Sequence, residues 1–365
     1  MKVTALIMAG GKGERFWPRS RVNMPKQFLS LTDDGKTMIQ LTVERISPIV
    51  DIKDVYIATN ENYRELVKTQ LPGLPEENIL CEPIGRNTAP CIGLGAVHVA
   101  KKNEDAIMIV LPSDHLIKNN EIFKDTFVNA CNIAKQGSNL VTVGITPNYP
   151  ETGYGYIKYN KSDVLDGSFA VERFVEKPDL ENAKKYVDDG TYLWNSGMFV
   201  WKTSTILDCF KKYMPSTYEG LMTIKESVGT SDEEKVLKEV FPTLESQSVD
   251  YGIMEKASDI YTLAGNFGWD DVGSWLAVGR IKENDDKGNV VNGNVVTVNT
   301  ENCVIEGDKK LIATVGLRDM IIVDTPDATL VSTKENAGEI KQVLAKLRDC
   351  LLYTSPSPRD PKTSR

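Results

Sequence analysis

Short apolar runs alternate with amphipathic runs over the first 145 residues. Val3–Met8 (VTALIM) is nearly continuous in apolar character, as a strand buried on both faces must be. A long polar loop follows, then an amphipathic stretch over Thr37–Ile46 that predicts a helix. The same pairing recurs along the chain. Strands are predicted at Val55–Thr59, Ile79–Cys81, Ala106–Leu111 and Leu140–Ile145. Helices are predicted at Glu61–Gln70, Thr88–Lys101 and Ile122–Lys135. Such alternation predicts an α/β protein built on a doubly wound, mixed, mostly parallel sheet. Ligands of such sheets gather outside the carboxyl ends of the strands.

The pattern is more mixed after residue 150. It predicts strands at Gly155–Tyr159, Ala170–Val175 and Gly197–Trp201, and helices at Leu180–Val187, Ser204–Tyr213, Glu233–Glu239 and Val249–Lys256. Beyond Asp285 the chain turns to short β-branched runs broken by Asn, Gly and Asp. That predicts a small C-terminal β appendage closed by a helix at Lys334–Leu347. The expected division is an α/β domain over 1–283, a β-rich domain over 284–350, and a tail over 351–365. The tail, LLYTSPSPRDPKTSR, has no apolar period and is expected to be disordered. It also reads like translated adaptor sequence rather than native chain.

Charge and composition narrow the function classes. Lys and Arg number 43 against 51 Asp and Glu, a net charge of −8, which argues against a dedicated nucleic-acid binder. No apolar run approaches the roughly 18 residues of a membrane span. The N-terminus runs into glycines rather than a cleavage site, so a cytoplasmic protein without membrane partners is expected. The 6 cysteines are scattered without CxxC pairing, which suits reduced thiols rather than disulfides or a zinc site. With only 2 histidines, chemistry must rest on carboxylates, Lys, Arg and backbone. A homodimer is compatible with the sequence, which fixes no oligomeric state.

The densest chemistry follows the first strand: Ala9-Gly10-Gly11-Lys12-Gly13-Glu14-Arg15, then Phe16-Trp17-Pro18-Arg19-Ser20-Arg21, then Pro25-Lys26-Gln27-Phe28. Glycines after a strand let backbone N–H groups approach phosphate oxygens. A Walker A loop would end in Gly-Lys-Ser/Thr. A dinucleotide-binding fingerprint would place a third glycine at Phe16 and begin a helix at once. Neither pattern is met, which disfavours a nicotinamide oxidoreductase. Pro18 and Pro25 keep the segment a loop. Arg15, Arg19, Arg21 and Lys26 concentrate positive charge in an acidic chain, and a flexible turn with solvated charges does not account for that.

This segment resembles the GGxGxRxxPxxxxxPKxx signature of the sugar-nucleotide pyrophosphorylases. Its Trp-Pro-x-Ser and Pro-Lys-Gln-Phe details resemble the branch that transfers guanylyl groups to mannose 1-phosphate. The likeness continues through Glu82-Pro-x-x-Arg86-Asn87-Thr-Ala89-Pro90, Pro112-Ser-Asp114-His115, Thr152-Gly-Tyr-Gly155-Tyr156, Glu176-Lys177-Pro178, Asn195-Ser-Gly197-Met198 and Trp269-Asp-Asp271-Val-Gly-Ser-Trp275. One such motif is weak; seven in the family's order, spread over about residues 3–350, are specific. The resemblance implies a Rossmann-like nucleotidyltransferase fold. It also implies a reaction of GTP with mannose 1-phosphate to give GDP-mannose and pyrophosphate, assisted by Mg²⁺.

The resemblance further implies residue roles. Arg15, Lys26 and Lys177 would be catalytic, the first two on the triphosphate and Lys177 on the sugar phosphate. Gly10, Gly11, Gly13, Glu82, Arg86, Asn87 and Ala89 would bind nucleotide, with Glu82 accepting from guanine. Gly155, Glu176 and Asn195 would face the sugar. Asp114 and Asp271 would ligate Mg²⁺. From the residues alone, plainer readings stand beside these. Asp114 could form a turn or helix cap, Asp271 could cap Ser274–Arg280, and Asp270 rivals Asp271 as a ligand. Glu82 could lie on the surface, Glu176-Lys177-Pro178 could be a solvated turn, and Tyr154 and Tyr156 could pack across strands. His98, in an apolar run, reads as a core histidine, and His115 as a neighbour of the site.

Two other functions stay open at this stage. One is the same transfer to a heptose, fucose or glucose 1-phosphate. The other is a regulatory subunit that binds sugar nucleotide without catalysis, disfavoured because Lys26, Asp114 and Asp271 are all present. Some relatives carry a further isomerase domain; none is expected within this length.

Overall fold

The apolar run Val3–Met8 forms a central strand, β1, of a nine-stranded sheet. The computed structural model describes residues 1–349, so the expectation for the tail at 351–365 lies outside the described residues. Two units are distinguished. The first comprises Met1–Gly10, Ile39–Ser113 and Ile117–Trp269; the second comprises Gly11–Met38, Asp114–Leu116 and the chain from Asp270 onward.

The first unit holds the large sheet. After β1 come β2 (Val55–Asn60), β3 (Ile79–Glu82), β4 (Ile107–Pro112), β5 (Leu140–Ile145), β6 (Tyr156–Leu165), β7 (Ser168–Val175), β8 (Tyr192–Lys202) and β9 (Ile260–Ala264). Their spatial order is β3-β2-β1-β4-β8-β5-β9-β7-β6. β1 runs parallel to β2 and β4, and β2 to β3. β8 lies antiparallel to β4 and β5, and β7 antiparallel to β9 and β6. The sheet is thus mixed, with β7 and β8 running against the other strands. β1 and β4 are neighbours although the chain winds outward through β2 and β3 between them. This is the reversal beside which α/β sheets bind ligands.

Helices pack along this sheet. They are α1 (Met38–Ile46), α2 (Arg64–Gln70), α3 (Thr88–Lys102), α4 (Asn120–Lys135), α5 (Leu180–Asp189), α6 (Thr203–Tyr213), α7 (Pro215–Ser227) and α8 (Glu233–Val240). A continuous core joins the sheet residues Leu6, Met108, Val110 and Trp201 to Ile92 and Val97 of α3, Phe210 of α6 and Leu221 of α7. Gly93 and Gly95 of α3 sit where a methyl would meet Leu221 and Leu6 side chains, so the helix packs closely. His98 is buried in α3 as expected, with Nδ1 on the Leu94 carbonyl at 2.8 Å and Nε2 on Glu233 at 3.1 Å.

Several elements depart from the sequence pattern: the closing helix begins at Ile340 rather than Lys334, and the strand expected at Gly197–Trp201 runs over Tyr192–Lys202. α7 was not expected; it begins at Pro215, in the first turn, where a missing N–H costs nothing. Val249–Lys256, expected as a regular helix, is instead a π-helical turn over Asp250–Met254.

The second unit carries the predicted β appendage. Val290–Asn292, Val304–Glu306 and Met320–Asp324 pair in parallel, and Thr329–Thr333 closes them antiparallel. Val295–Val298 and Ile312–Val315 form a second parallel pair. Cys303, Ile305 and Ile322 fill the interior. Asn289 stitches the turns, donating to the Thr300 carbonyl at 2.8 Å and accepting from Cys303 N–H at 2.9 Å. The helices α9 (Trp275–Ile281) and α10 (Ile340–Asp349) complete this unit.

Candidate active site

The glycine loop is shaped by one close approach. Gly13 has φ 58, and a methyl there would lie 2.5 Å from the Lys26 backbone nitrogen. Only glycine permits both the left-handed turn and the contact. The approach brings the Gly11–Arg15 segment against Pro25-Lys26. Gln27 Nε2 then donates to the Gly11 carbonyl at 2.9 Å and holds the loop.

Within this unit lies a cavity of about 560 Å³ whose lining includes Gly13, Arg15, Lys26, Asp114, His115 and Asp271. Lys26 is nearly fully buried. Its Nζ lies 2.9 Å from Asp114 Oδ2 and 2.6 Å from the Asp271 carbonyl oxygen. Burial opposes the ionised form of Asp114, but Lys26 and His115 outweigh it and hold the carboxyl below its ordinary value. Lys26, Asp114 and Asp271, from three distant stretches of sequence, thus meet in one polar concavity.

The two neighbouring aspartates separate by role. Asp270 accepts from Arg280 Nε and Nη2, at 2.9 and 3.2 Å, and from the Val272 N–H at 2.8 Å. It is a structural anchor between the turn and α9. Asp271 lines the cavity, with Oδ1 on the Gly273 N–H at 3.1 Å.

In the first unit, Glu82 ends β3 and is only 6% exposed. The plainer alternative of a surface glutamate does not hold, because β3 is buried along its whole length. Burial raises the carboxyl from 4.5 to about 7, against a smaller lowering by the Cys91 thiol. Oε1 has no hydrogen-bond partner among the described residues. Gly10 sits beside it, where a methyl would come within 3.1 Å of Oε2.

The residues after Glu82 make bonds within the protein, although Arg86 Nε has no partner among the described residues. Arg86 Nη2 donates to the Pro242 carbonyl. Asn87 caps α3 through the Thr88 N–H at 2.8 Å, and the Ala89 N–H donates to the Gln247 carbonyl at 3.0 Å. That N–H is therefore not a donor for a base.

Gly155, Glu176 and Asn195 do come together. A methyl on Gly155 would lie 2.8 Å from Glu176 Oε2 and 3.5 Å from Asn195 Cβ. The Asn195 N–H donates to the Gly155 carbonyl at 2.8 Å. A bulge in the β5–β8 pairing re-aims Asn195: Val143 faces Met198, but Gly144 faces Asn195. Lys177 has an exposed side chain that touches the Glu176 carboxylate. Tyr154 stacks edge-on to Trp194 and Trp269, each at 5.3 Å, while Tyr156 is fully buried.

A nucleotidyl transferase family model matches residues 4–288. The chain belongs to the nucleotidyl transferase family. A second model, the MannoseP isomerase/GMP-like beta-helix domain, matches residues 293–347. A mannose-1-phosphate guanylyltransferase of Salmonella montevideo is 40% identical over 95% of this chain and 74% of its own. One from Klebsiella pneumoniae is 40% identical over 94% and 73%. A crystal structure described as mannose-1-phosphate geranyltransferase, from Thermus thermophilus, superposes with a TM-score of 0.87 at 34% identity. It covers 95% of this chain and 100% of that one.

Asp250 joins Asn195 with no motif in the sequence to mark it. Its Oδ1 accepts from Asn195 Nδ2 at 2.7 Å. Burial, with Glu176 adding to it, raises its carboxyl despite the Asn195 hydrogen bond. The signal was the acid following buried Val249, hidden because the segment reads as an ordinary amphipathic helix. π-turns of this kind recur at functional sites. Lys341 and Arg348 of α10, which also line the cavity, were missed as well.

Proposed function

We propose that the protein is a mannose-1-phosphate guanylyltransferase, forming GDP-mannose and pyrophosphate from GTP and α-D-mannose 1-phosphate. Glu82 carries the reading: a buried carboxylate at a strand's carboxyl end with one oxygen unpaired. Guanine offers N1–H and an N2 amine to one carboxylate. Uracil and thymine offer one donor, and adenine's N1 is an acceptor. The names of the relatives supply the sugar.

A phosphate oxygen of the sugar attacks the α-phosphorus in line, and pyrophosphate leaves with the electron pair of the broken bond. A phosphate monoester has a second pKa near ~6 and is mostly dianionic at neutral pH, so no general base is required. Positioning and charge neutralisation carry the catalysis. In this reading Gly10, Gly11, Gly13, Arg15 and Lys26 hold the triphosphate. Lys177 holds the sugar phosphate, with Gly155, Glu176 and Asn195 on the sugar. Asp114 and Asp271 are hard oxygen donors lining one cavity. Asp114 and Asp271 would hold Mg²⁺, with phosphate and water oxygens as its further ligands. When bound, Mg²⁺ neutralises phosphate charge. We assign catalysis to residues 1–283 and the β-rich domain to 284–350, and place the protein in the cytoplasm.

Pyrophosphate release from GTP and inosine triphosphate tests the reading, since inosine lacks only the N2 amine. GTP should be preferred by about 1–3 kcal/mol in kcat/KM. Glu82→Gln should narrow that gap. An unchanged ratio places guanine recognition elsewhere, and no release with mannose 1-phosphate removes the assigned activity.

A further inference from the structure

We propose that α10 completes the triphosphate site, with Lys341 holding the terminal phosphates of the nucleotide and the pyrophosphate product. This rests on reading the cavity as the phosphate site. Five basic side chains line it: Lys12, Arg15, Lys26, Lys341 and Arg348. They are not equivalent. Lys26 is paired with Asp114, and Arg348 Nη2 with Glu14 Oε1 at 2.6 Å. Lys12, Arg15 and Lys341 make no ion pair with a described residue. The acids in the same lining are Glu14, Asp114 and Asp271. Glu14 is taken by Arg348, and the two aspartates are those proposed for a divalent cation. The unpaired lysines and arginine are therefore surplus positive charge in a protein of net charge −8. A concavity with that surplus selects a polyanion.

The stability of α10 does not account for Lys341. It stands in the first turn, where the helix dipole disfavours a cation; Lys346 and Arg348 stand in the last turn, where it favours one. A residue that breaks a local rule while facing a cavity is placed there by the cavity. Arg348 acts differently. Its ion pair to Glu14 fixes α10 on the glycine loop, so it is a positioning residue and Lys341 is the ligand.

The step balances without a proton. A sugar-phosphate oxygen forms its bond to the α-phosphorus as the bond from that phosphorus to the bridging oxygen breaks. The electron pair stays on pyrophosphate, so negative charge grows on the leaving group. An ammonium on the terminal phosphates favours that departure.

The 365-residue chain is titrated calorimetrically with inorganic pyrophosphate and Mg²⁺, as wild type and as Lys341→Ala, Lys341→Arg and Lys346→Ala. KM for GTP and for mannose 1-phosphate is measured on the same proteins. Lys341→Ala should weaken pyrophosphate and raise the KM for GTP by about tenfold, about 1.4 kcal/mol. The KM for mannose 1-phosphate should not move, and Lys341→Arg should recover most of the loss. Lys346→Ala removes the same charge from an exposed position of α10 outside the cavity lining and should change little. Unaltered pyrophosphate affinity in Lys341→Ala, an equal loss in Lys346→Ala, or no pyrophosphate binding by wild type each overturns the proposal. If pyrophosphate binds through Lys341 but no GDP-mannose forms, the assigned activity fails and this site stands.

Discussion

Glu82 is held at a cost in the free protein. Burial lifts its carboxyl from 4.5 to about 7, a difference of about 3 kcal/mol between its two protonation states. The raised value means that the folded form binds the proton more tightly than the unfolded chain. Stability should therefore fall as pH rises from about 4.5 to about 7, then level off. Glu82→Gln removes that slope. In urea titrations it should match wild type near pH 4 and exceed it by up to about 3 kcal/mol at pH 8. No difference at pH 8 would show that the carboxylate is better solvated than its burial implies. Asp270 and Asp271 make a second contrast. Asp270→Asn weakens a two-point ion pair with Arg280 and should cost about 1 kcal/mol of stability with modest loss of turnover. Asp271→Asn should abolish turnover at unchanged stability. The reverse pattern would exchange the two roles.

α3 begins under strain. Asn87 has φ 66 and ψ −172, backbone left to glycine, yet its side chain caps the Thr88 N–H. Asn87→Gly should relieve the strain while giving up little of the cap, for a net gain of about 1 kcal/mol. Asn87→Ala keeps the strain and loses the cap, for a net loss of about 1 kcal/mol. Chemical denaturation of both variants decides this. Stabilisation by alanine would show that the cap contributes nothing. How far such elements were legible depended on their local pattern. β1 and β5 were read to the residue because both faces are apolar. β6 runs on to Leu165 through Asn160, Lys161, Ser162 and Asp163; these mostly exposed positions carry no apolar signal. The appendage was legible as strands, but not as parallel rungs, because alternation reports faces and never partners. The residues proposed for the triphosphate stand out in the sequence because the glycines, Arg15 and Lys26 lie within one segment. Asp250 and Lys341 were not, because folding alone brings them to their neighbours.

At the scale of the molecule, the glycine loop leaves the large sheet and is anchored within the β-rich unit. Arg19 Nη2 lies 3.3 Å from Glu306 Oε2, and Arg21 Nη2 lies 2.8 Å from Asp327. Glu306 is buried and also accepts from Lys282 Nζ at 3.0 Å and from Asn292 Nδ2 at 2.8 Å. These ties give the appendage a part in shaping the cavity proposed for phosphate, in addition to its own fold. Removing one partner of a buried ion pair typically costs about 3–5 kcal/mol, because the other charge stays desolvated. Lys282 retains Asp33 at 3.5 Å, so Glu306→Ala should fall at the lower end, about 3 kcal/mol by urea denaturation. With Arg19 released, the loop should hold triphosphate less well. The KM for GTP should rise several-fold, while the KM for mannose 1-phosphate, whose proposed ligands belong to the other unit, should stay within about twofold. Glu306→Gln keeps the shape and two of the acceptor contacts and should lie between the two proteins. An equal rise in both KM values would show that Glu306 acts on the fold as a whole and that Arg19 does not set the loop.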